Sequence, residues 1–184
     1  MGELIVLGDR MGVRQARPQF LYDLACPLSY LAAEQVEPSL GQVEWIPACG
    51  AGVESLNRAE VTRQAQARHL PLVWPERYPA ALIRASRAAA AATADGHGAR
   101  FGLAALRLAF CGGFDLEDPE ILAEAAAAAG ISVDDCLEAA EDPGWDPIVF
   151  HGMDALPVVR MGACVFGGAE AVVHAAAALD ARSA

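Results

Sequence analysis

The two ends of the chain and its middle carry different patterns of apolar and polar residues. A run of apolar and aromatic residues at 19–23 predicts a strand, and residues 28–36 predict a helix that ends before Pro38. Residues 43–46 predict a second strand, which Pro47 closes. Because one helix joins these two strands in a β-α-β unit, we expect them to be parallel.

Residues 53–150 carry helical spacing instead, with alanine runs that favour helix. Asp118 and Pro119 suit the N-cap and first position of one helix, and Gly130 suits its end. The segment predicts five helices, over residues 60–69, 80–94, 100–110, 119–130 and 132–140.

Strand patterns return in the last thirty or so residues. Residues 156–161 and 163–166 predict a β-hairpin, and residues 169–181 predict a closing helix. The order β-α-β, helices, β-β-α is that of an α/β thioredoxin fold with a large all-helical insertion. We therefore assign residues 1–53 and 150–184 to a thioredoxin-like domain and residues 54–149 to the insertion.

Composition and net charge exclude some classes of protein and argue against some classes of binding partner. Hydrophobic residues make up 54% and charged residues 20%, which excludes a disordered chain. No stretch approaches the roughly 20 apolar residues of a bilayer span, and the net charge of −11 argues against nucleic acid and anionic membranes. The first residues lack the pattern of a signal peptide, so we expect a cytoplasmic protein with a small-molecule substrate. The sequence leaves open whether the protein forms a homodimer.

Cys26 is the candidate for chemistry among five singly spaced cysteines, which show no metal-binding spacing and predict no metal site. It lies where a predicted strand meets a helix start, with Pro27 in the first helical turn. Unpaired N–H groups and the helix dipole stabilise a thiolate there, so we expect a lowered pKa. Ser29, one turn later, either hydrogen-bonds this thiolate or bonds back to the helix backbone. We take Cys26 and Ser29 as catalytic candidates.

Pro157 opens the first strand of the terminal hairpin, directly after Leu156. In a thioredoxin fold this proline follows a cis peptide bond and faces the active-site helix. The backbone of Leu156 would then pair with the peptide-like part of a thiol substrate. Pro27, Leu156 and Pro157 are therefore candidate binding residues.

At these residues the chain resembles a known group of enzymes. Residues 20–32, FLYDLACPLSYLA, resemble the opening of the DsbA-like superfamily, and within it the 2-hydroxychromene-2-carboxylate isomerases, relatives of the kappa-class glutathione transferases. Residues 70–79 resemble that family's proline-rich loop over the active site, and residues 156–168 its cis-proline hairpin. The resemblance covers about residues 19–181. It implies that Trp74, Arg77 and Tyr78 line the pocket and that glutathione or another low-molecular-weight thiol serves as cofactor.

Several positions depart from the family pattern. The isomerases usually have serine where Cys26 stands, and the disulfide oxidoreductases have a second cysteine where Ser29 stands. Residues that hold the γ-glutamyl group of glutathione in the family fall on Gly168 and Ala169, with Glu170 one position away as a substitute. The family's asparagine falls on Ala81.

Three functions follow from these observations. The first is a thiol-dependent isomerase or transferase-like enzyme, in which the Cys26 thiolate attacks a small conjugated or aromatic substrate. The second is a DsbA-like thiol–disulfide oxidoreductase with a monothiol site, resolved by a free thiol or by a distant cysteine such as Cys164. The third is a non-catalytic thioredoxin-fold binding protein.

Overall fold

A five-stranded mixed sheet lies at the centre of the molecule, for which the computed structural model describes residues 17–50, 56–150 and 156–183. The strands follow the order β3-β2-β1-β4-β5; β1 pairs in parallel with β2 and β2 with β3, whereas β4 runs antiparallel to β1 and to β5. The predicted α/β fold is confirmed. The strands are β1 (Gln19–Tyr22), β2 (Glu44–Gly50), β3 (Ile148–Phe150), β4 (Val158–Met161) and β5 (Cys164–Gly167).

In the described part of the chain between β2 and β3, five α-helices lie in the segment that the sequence predicts to be helical. Side chains of Asn57, Asp118 and Ser132 cap three of them, and Gly130 ends α5 in the left-handed conformation. No helix in the described ranges has the length and apolar character needed to cross a bilayer. The helices are α1 (Pro27–Leu40), α2 (Arg58–Ala67), α3 (Ile83–Ala94), α4 (Gly98–Phe110), α5 (Pro119–Ala129), α6 (Val133–Glu141) and α7 (Ala171–Ser183).

Alternation along β1 divides its side chains between two clusters. Phe20 and Tyr22 pack edge-to-face on Trp45 of β2, with ring centroids 4.9 and 5.4 Å apart, and belong to the large cluster that includes the helices. Leu21 belongs to a small separate cluster with Ala48, Leu156 and Val158. The sheet thus places Leu156 beside the end of β2.

Two prolines do not end their elements where the sequence analysis expects. The expected end of α1 before Pro38 is wrong, because Pro38 lies within the last turn and the helix ends at Leu40. The expected end of β2 at Pro47 is also wrong. Pro47 is the last residue paired with β1, after which β2 pairs with β3 instead. The three-residue strand β3 was not predicted, because it is too short to show an alternating pattern.

Candidate thiol site

Cys26 occupies the junction between β1 and α1 as the N-cap of the helix, with Pro27 at the first helical position. Its thiol is 2% exposed and donates a hydrogen bond to the backbone carbonyl of Leu156, at an Sγ···O distance of 3.5 Å. The Leu156–Pro157 peptide bond is cis. The fold therefore brings together two motifs that are 130 residues apart in the sequence.

Ser29 is fully buried in the first turn of α1 and interacts with two neighbouring residues. Its Oγ accepts a hydrogen bond from the backbone N–H of Asp23 at 3.1 Å, which ties the helix start to the end of β1. Its backbone N–H donates to the Cys26 carbonyl at 3.0 Å, and both this N–H and the hydroxyl lower the pKa of the Cys26 thiol. Of the two roles that the sequence left open for Ser29, the effect on Cys26 is the one that the structure supports.

The expected lowering of the Cys26 pKa is wrong. The pKa of this thiol is raised to about 11, chiefly by burial and to a smaller extent by the negative charge of Asp23, against hydrogen bonds from Ser29 and Leu28 that lower it. The helix start does stabilise the thiolate, but removing the sulfur from water costs more. Cys26 is a protonated thiol at neutral pH in this conformation.

Asp23 is a site residue for which the sequence alone leaves two roles open, tuning Cys26 or facing solvent at the end of a strand. The residue is 5% exposed, and its carboxylate accepts hydrogen bonds from the backbone N–H groups of Ala25, at 2.8 Å, and Gly50, at 2.9 Å. Burial raises the pKa of this carboxyl group. The side chain thus ties the end of β1 to the end of β2 and places a carboxyl group beside Cys26. Its position at a strand end, three residues before Cys26, is the only sequence signal for this role.

The predicted pocket residues form an aromatic cluster next to the site. Trp74 and Tyr78 meet edge to face with centroids 4.8 Å apart, and the Arg58 guanidinium lies 4.9 and 5.2 Å from the two rings. Arg77 forms an ion pair with Asp115 at 2.8 Å. Arg77 and Tyr78 line a small apolar hollow together with Leu24 and Ala25, which precede Cys26 in the chain. Trp74 is not among the residues that line this hollow.

A larger cleft, which the sequence did not predict, opens between the end of β2 and the start of α3. We call it the β2–α3 cleft; it encloses about 500 Å³ and is lined by residues that include Asp23, Ala25, Cys49, Ser86, Arg87 and Asp146. The half-buried Cys49 thiol points to the buried Ser86 hydroxyl at 4.0 Å, and burial raises its pKa. Both hollows lie against Ala25, directly before Cys26 in the chain.

The residues expected to hold glutathione do not fit that cofactor. Gly168 lies next to Pro157, to whose carbonyl its N–H donates at 2.9 Å, but it has no side chain to offer. The Glu170 carboxylate is already paired with Arg68 at 2.9 Å, and the same guanidinium donates to the Ala169 carbonyl at 3.4 Å. Ala81 has only a methyl group where an amide would be needed. Glutathione carries two carboxylates and an ammonium group, and these positions offer none of them a free partner.

Comparison with known proteins gives a family match and several solved structures with a similar fold. A family model for the DSBA-like thioredoxin domain matches residues 19–149. The structure of a 2-hydroxychromene-2-carboxylate isomerase superposes with a TM-score of 0.74 at 14% sequence identity, over 90% of this chain and 95% of that one. A probable DsbA oxidoreductase from Streptomyces coelicolor gives a TM-score of 0.68 at 17% identity, over 90% and 88% of the two chains. No curated protein matches the sequence.

Proposed function

Because the chain belongs to the DsbA-like thioredoxin domain family, we propose that it is a thiol-dependent isomerase that acts on a small conjugated carbonyl compound through Cys26. The proposal rests on the position of one sulfur atom. Cys26 Sγ lies at the start of α1 and against the Leu156 carbonyl, and Ser29 stands where a disulfide oxidoreductase needs its second thiol. The fold's likeness to a 2-hydroxychromene-2-carboxylate isomerase suggests the reaction type.

The proposed reaction needs no oxidant, reductant or second thiol. The Cys26 S–H adds across the conjugated C=C–C=O system, so that sulfur bonds to the β-carbon and the proton moves to the carbonyl oxygen, giving an enol. The former double bond is now single and rotates. The C–S bond then breaks, the double bond re-forms in the new geometry, and the proton returns to sulfur. Because glutathione does not fit the site, no step passes through it.

Because Cys26 is buried, its thiol is almost entirely protonated before substrate binds. With a pKa of about 11, only roughly one thiol in ten thousand is ionised at pH 7. Substrate must therefore reach the sulfur and replace its contact with the Leu156 carbonyl before the addition step. The N–H groups of Leu28 and Ser29 and the Ser29 hydroxyl then stabilise the developing thiolate.

Turnover of a neutral model substrate tests the proposal. We expect the protein to convert cis-4-phenyl-3-buten-2-one to the trans isomer with no thiol added, as followed by ultraviolet absorbance. Cys26→Ala should lower the rate by at least about a hundredfold, and the matched variant Cys164→Ala, on β5, should leave it unchanged. An unchanged rate in Cys26→Ala would refute the assignment of Cys26.

A non-catalytic binding protein is the second candidate, and the burial of Cys26 favours it. A thiol that is 2% exposed with a raised pKa resembles a structural cysteine more than a nucleophile. If this candidate is correct, the protein binds the ketone but does not isomerise it, and Cys26→Ser binds it with the same affinity as the wild type.

A further inference from the structure

We propose that the β2–α3 cleft is the substrate-binding site and that it selects small molecules without negative charge. The inference deepens the proposed function and rests on it for the reaction, but not for the binding preference. The cleft's size of about 500 Å³ is within the range of small-molecule sites. Much of its wall is apolar, from residues 79–83 together with Pro147 and Val149.

Among the described residues of the cleft wall, the charged groups leave no cation free to receive an anionic ligand. The three charged residues that line it are Asp23, Arg87 and Asp146. The Arg87 side chain is 18% exposed and its Nε donates to Asp146 at 2.7 Å, so its positive charge is already neutralised. Asp23 then contributes negative charge or, when protonated, none. A carboxylate placed in the cleft would lose water and would find no unpaired positive charge among the described lining residues.

The start of α3 could have supplied an anion site, but a side chain of the protein occupies it. This helix begins at Ile83, in the cleft wall, and Leu82 provides no side-chain cap. The Glu117 carboxylate accepts hydrogen bonds from the backbone N–H groups of Arg84, at 3.1 Å, and Ala85, at 3.3 Å. The positive end of the helix dipole is therefore satisfied internally.

The neutral polar groups of the cleft indicate how an uncharged ligand is oriented. The Cys49 thiol and the Ser86 hydroxyl lie together in its wall and can donate to a ligand carbonyl or hydroxyl. The preferred ligand is thus an uncharged conjugated carbonyl compound, with its apolar part against residues 79–83.

Equilibrium binding of two matched probes tests the inference apart from turnover. Titration calorimetry on the Cys26→Ala protein compares trans-4-phenyl-3-buten-2-one, which is neutral, with trans-cinnamate, which has nearly the same shape and a carboxylate. We expect the ketone to bind at least about tenfold more tightly than cinnamate. Ala81→Trp, which fills the cleft, should abolish ketone binding.

Charge variants supply the second arm of the experiment. Asp146→Asn should free Arg87 and strengthen cinnamate binding at least about threefold without changing ketone binding. Glu117→Gln weakens the acceptor at the start of α3 and should also strengthen cinnamate binding. The matched control Asp180→Asn removes the same charge from an exposed position on α7 and should change neither affinity. Equal or tighter binding of cinnamate, failure of both probes to bind, or ketone binding that survives Ala81→Trp would overturn the inference. Binding selectivity without turnover would instead refute only the proposed function.

Discussion

Two opposing effects act on the single sulfur atom of Cys26. Hydrogen bonds from the first turn of α1 favour the thiolate, while burial and the neighbouring Asp23 carboxylate favour the protonated thiol. Burial and the Asp23 charge outweigh the hydrogen bonds, so the Cys26 thiol is protonated at neutral pH. The local motif alone indicates only the first effect, because burial depends on Leu156, which is remote in sequence.

Alkylation kinetics should show this balance directly. At about pH 8, iodoacetamide should label Cys26 more slowly than Cys164, because Cys26 is buried with a pKa raised to about 11 while Cys164 is partly exposed. Peptide mapping by mass spectrometry gives both rates in one sample. In denaturant the two cysteines should label at similar rates. Faster labelling of Cys26 in the folded protein would contradict the account of its environment.

Asp23→Asn should make Cys26 more reactive and the fold less stable. Removing the negative charge lowers the pKa of the Cys26 thiol, so the rise of alkylation rate with pH should begin at lower pH. An amide can accept only one of the two hydrogen bonds from Ala25 and Gly50, and we expect a loss of about 1–2 kcal/mol in the free energy of unfolding. Asp180→Asn serves as the control, and an unchanged Cys26 profile in Asp23→Asn would disprove the coupling.

At the scale of elements, α4 docks on β1 and β2 at a glycine. A Cβ atom on Gly102 would lie 2.6 Å from the Tyr22 hydroxyl oxygen and 3.1 Å from a ring carbon of Trp45. The Tyr22 hydroxyl is buried and has no hydrogen-bond partner among the described residues. The close approach of helix and sheet therefore requires the absence of a side chain.

Gly102→Ala should destabilise the protein by about 1–3 kcal/mol, as measured by urea unfolding, because the new methyl group overlaps Tyr22. This sign is opposite to that of helix propensity, which alone favours alanine by about 1 kcal/mol. Adding Tyr22→Phe removes the overlapping oxygen and should restore part of the loss. A stabilised Gly102→Ala protein would show that α4 does not pack as described.

The order of strands and helices could be predicted because each long element has its own periodic pattern. The parts that could not be predicted depend on pairing between distant segments. Pro47 marks a change of strand partner rather than a strand end, since β3 arrives from about 100 residues later. The β2–α3 cleft likewise depends on α3 packing at the end of β2, which brings Ser86 to Cys49. The pattern within a single element carries no information about that contact.

At the scale of the whole molecule, buried thiols should make stability depend on alkaline pH. The pKa values of Cys26 and Cys136 are raised by burial from an ordinary value of 9.0 to about 11. The folded state therefore holds its thiol protons more tightly than the unfolded state does. This contribution to stability is fully present below about pH 9 and is lost as the pH rises toward about 11.

Urea unfolding at a series of pH values between about 8 and 10.5 checks this dependence. The midpoint should fall with pH in the wild type and fall less steeply in Cys26→Ala and in Cys136→Ala, whatever stability each variant loses at neutral pH. Equal slopes in all the proteins would mean that these thiols are not buried as the structure has them.

Trapping the covalent intermediate tests the central claim, that Cys26 is the reacting group. Rapid acid quenching during turnover of cis-4-phenyl-3-buten-2-one protonates the enol of a sulfur adduct at carbon and gives a β-thioether ketone. Borohydride then reduces the carbonyl of this ketone, and the adduct can no longer eliminate. Peptide mapping of the quenched protein should show the reduced adduct on Cys26, with Cys49, in the neighbouring cleft, unmodified. An adduct on Cys49 instead, or turnover that continues with no adduct on any cysteine, would contradict the account.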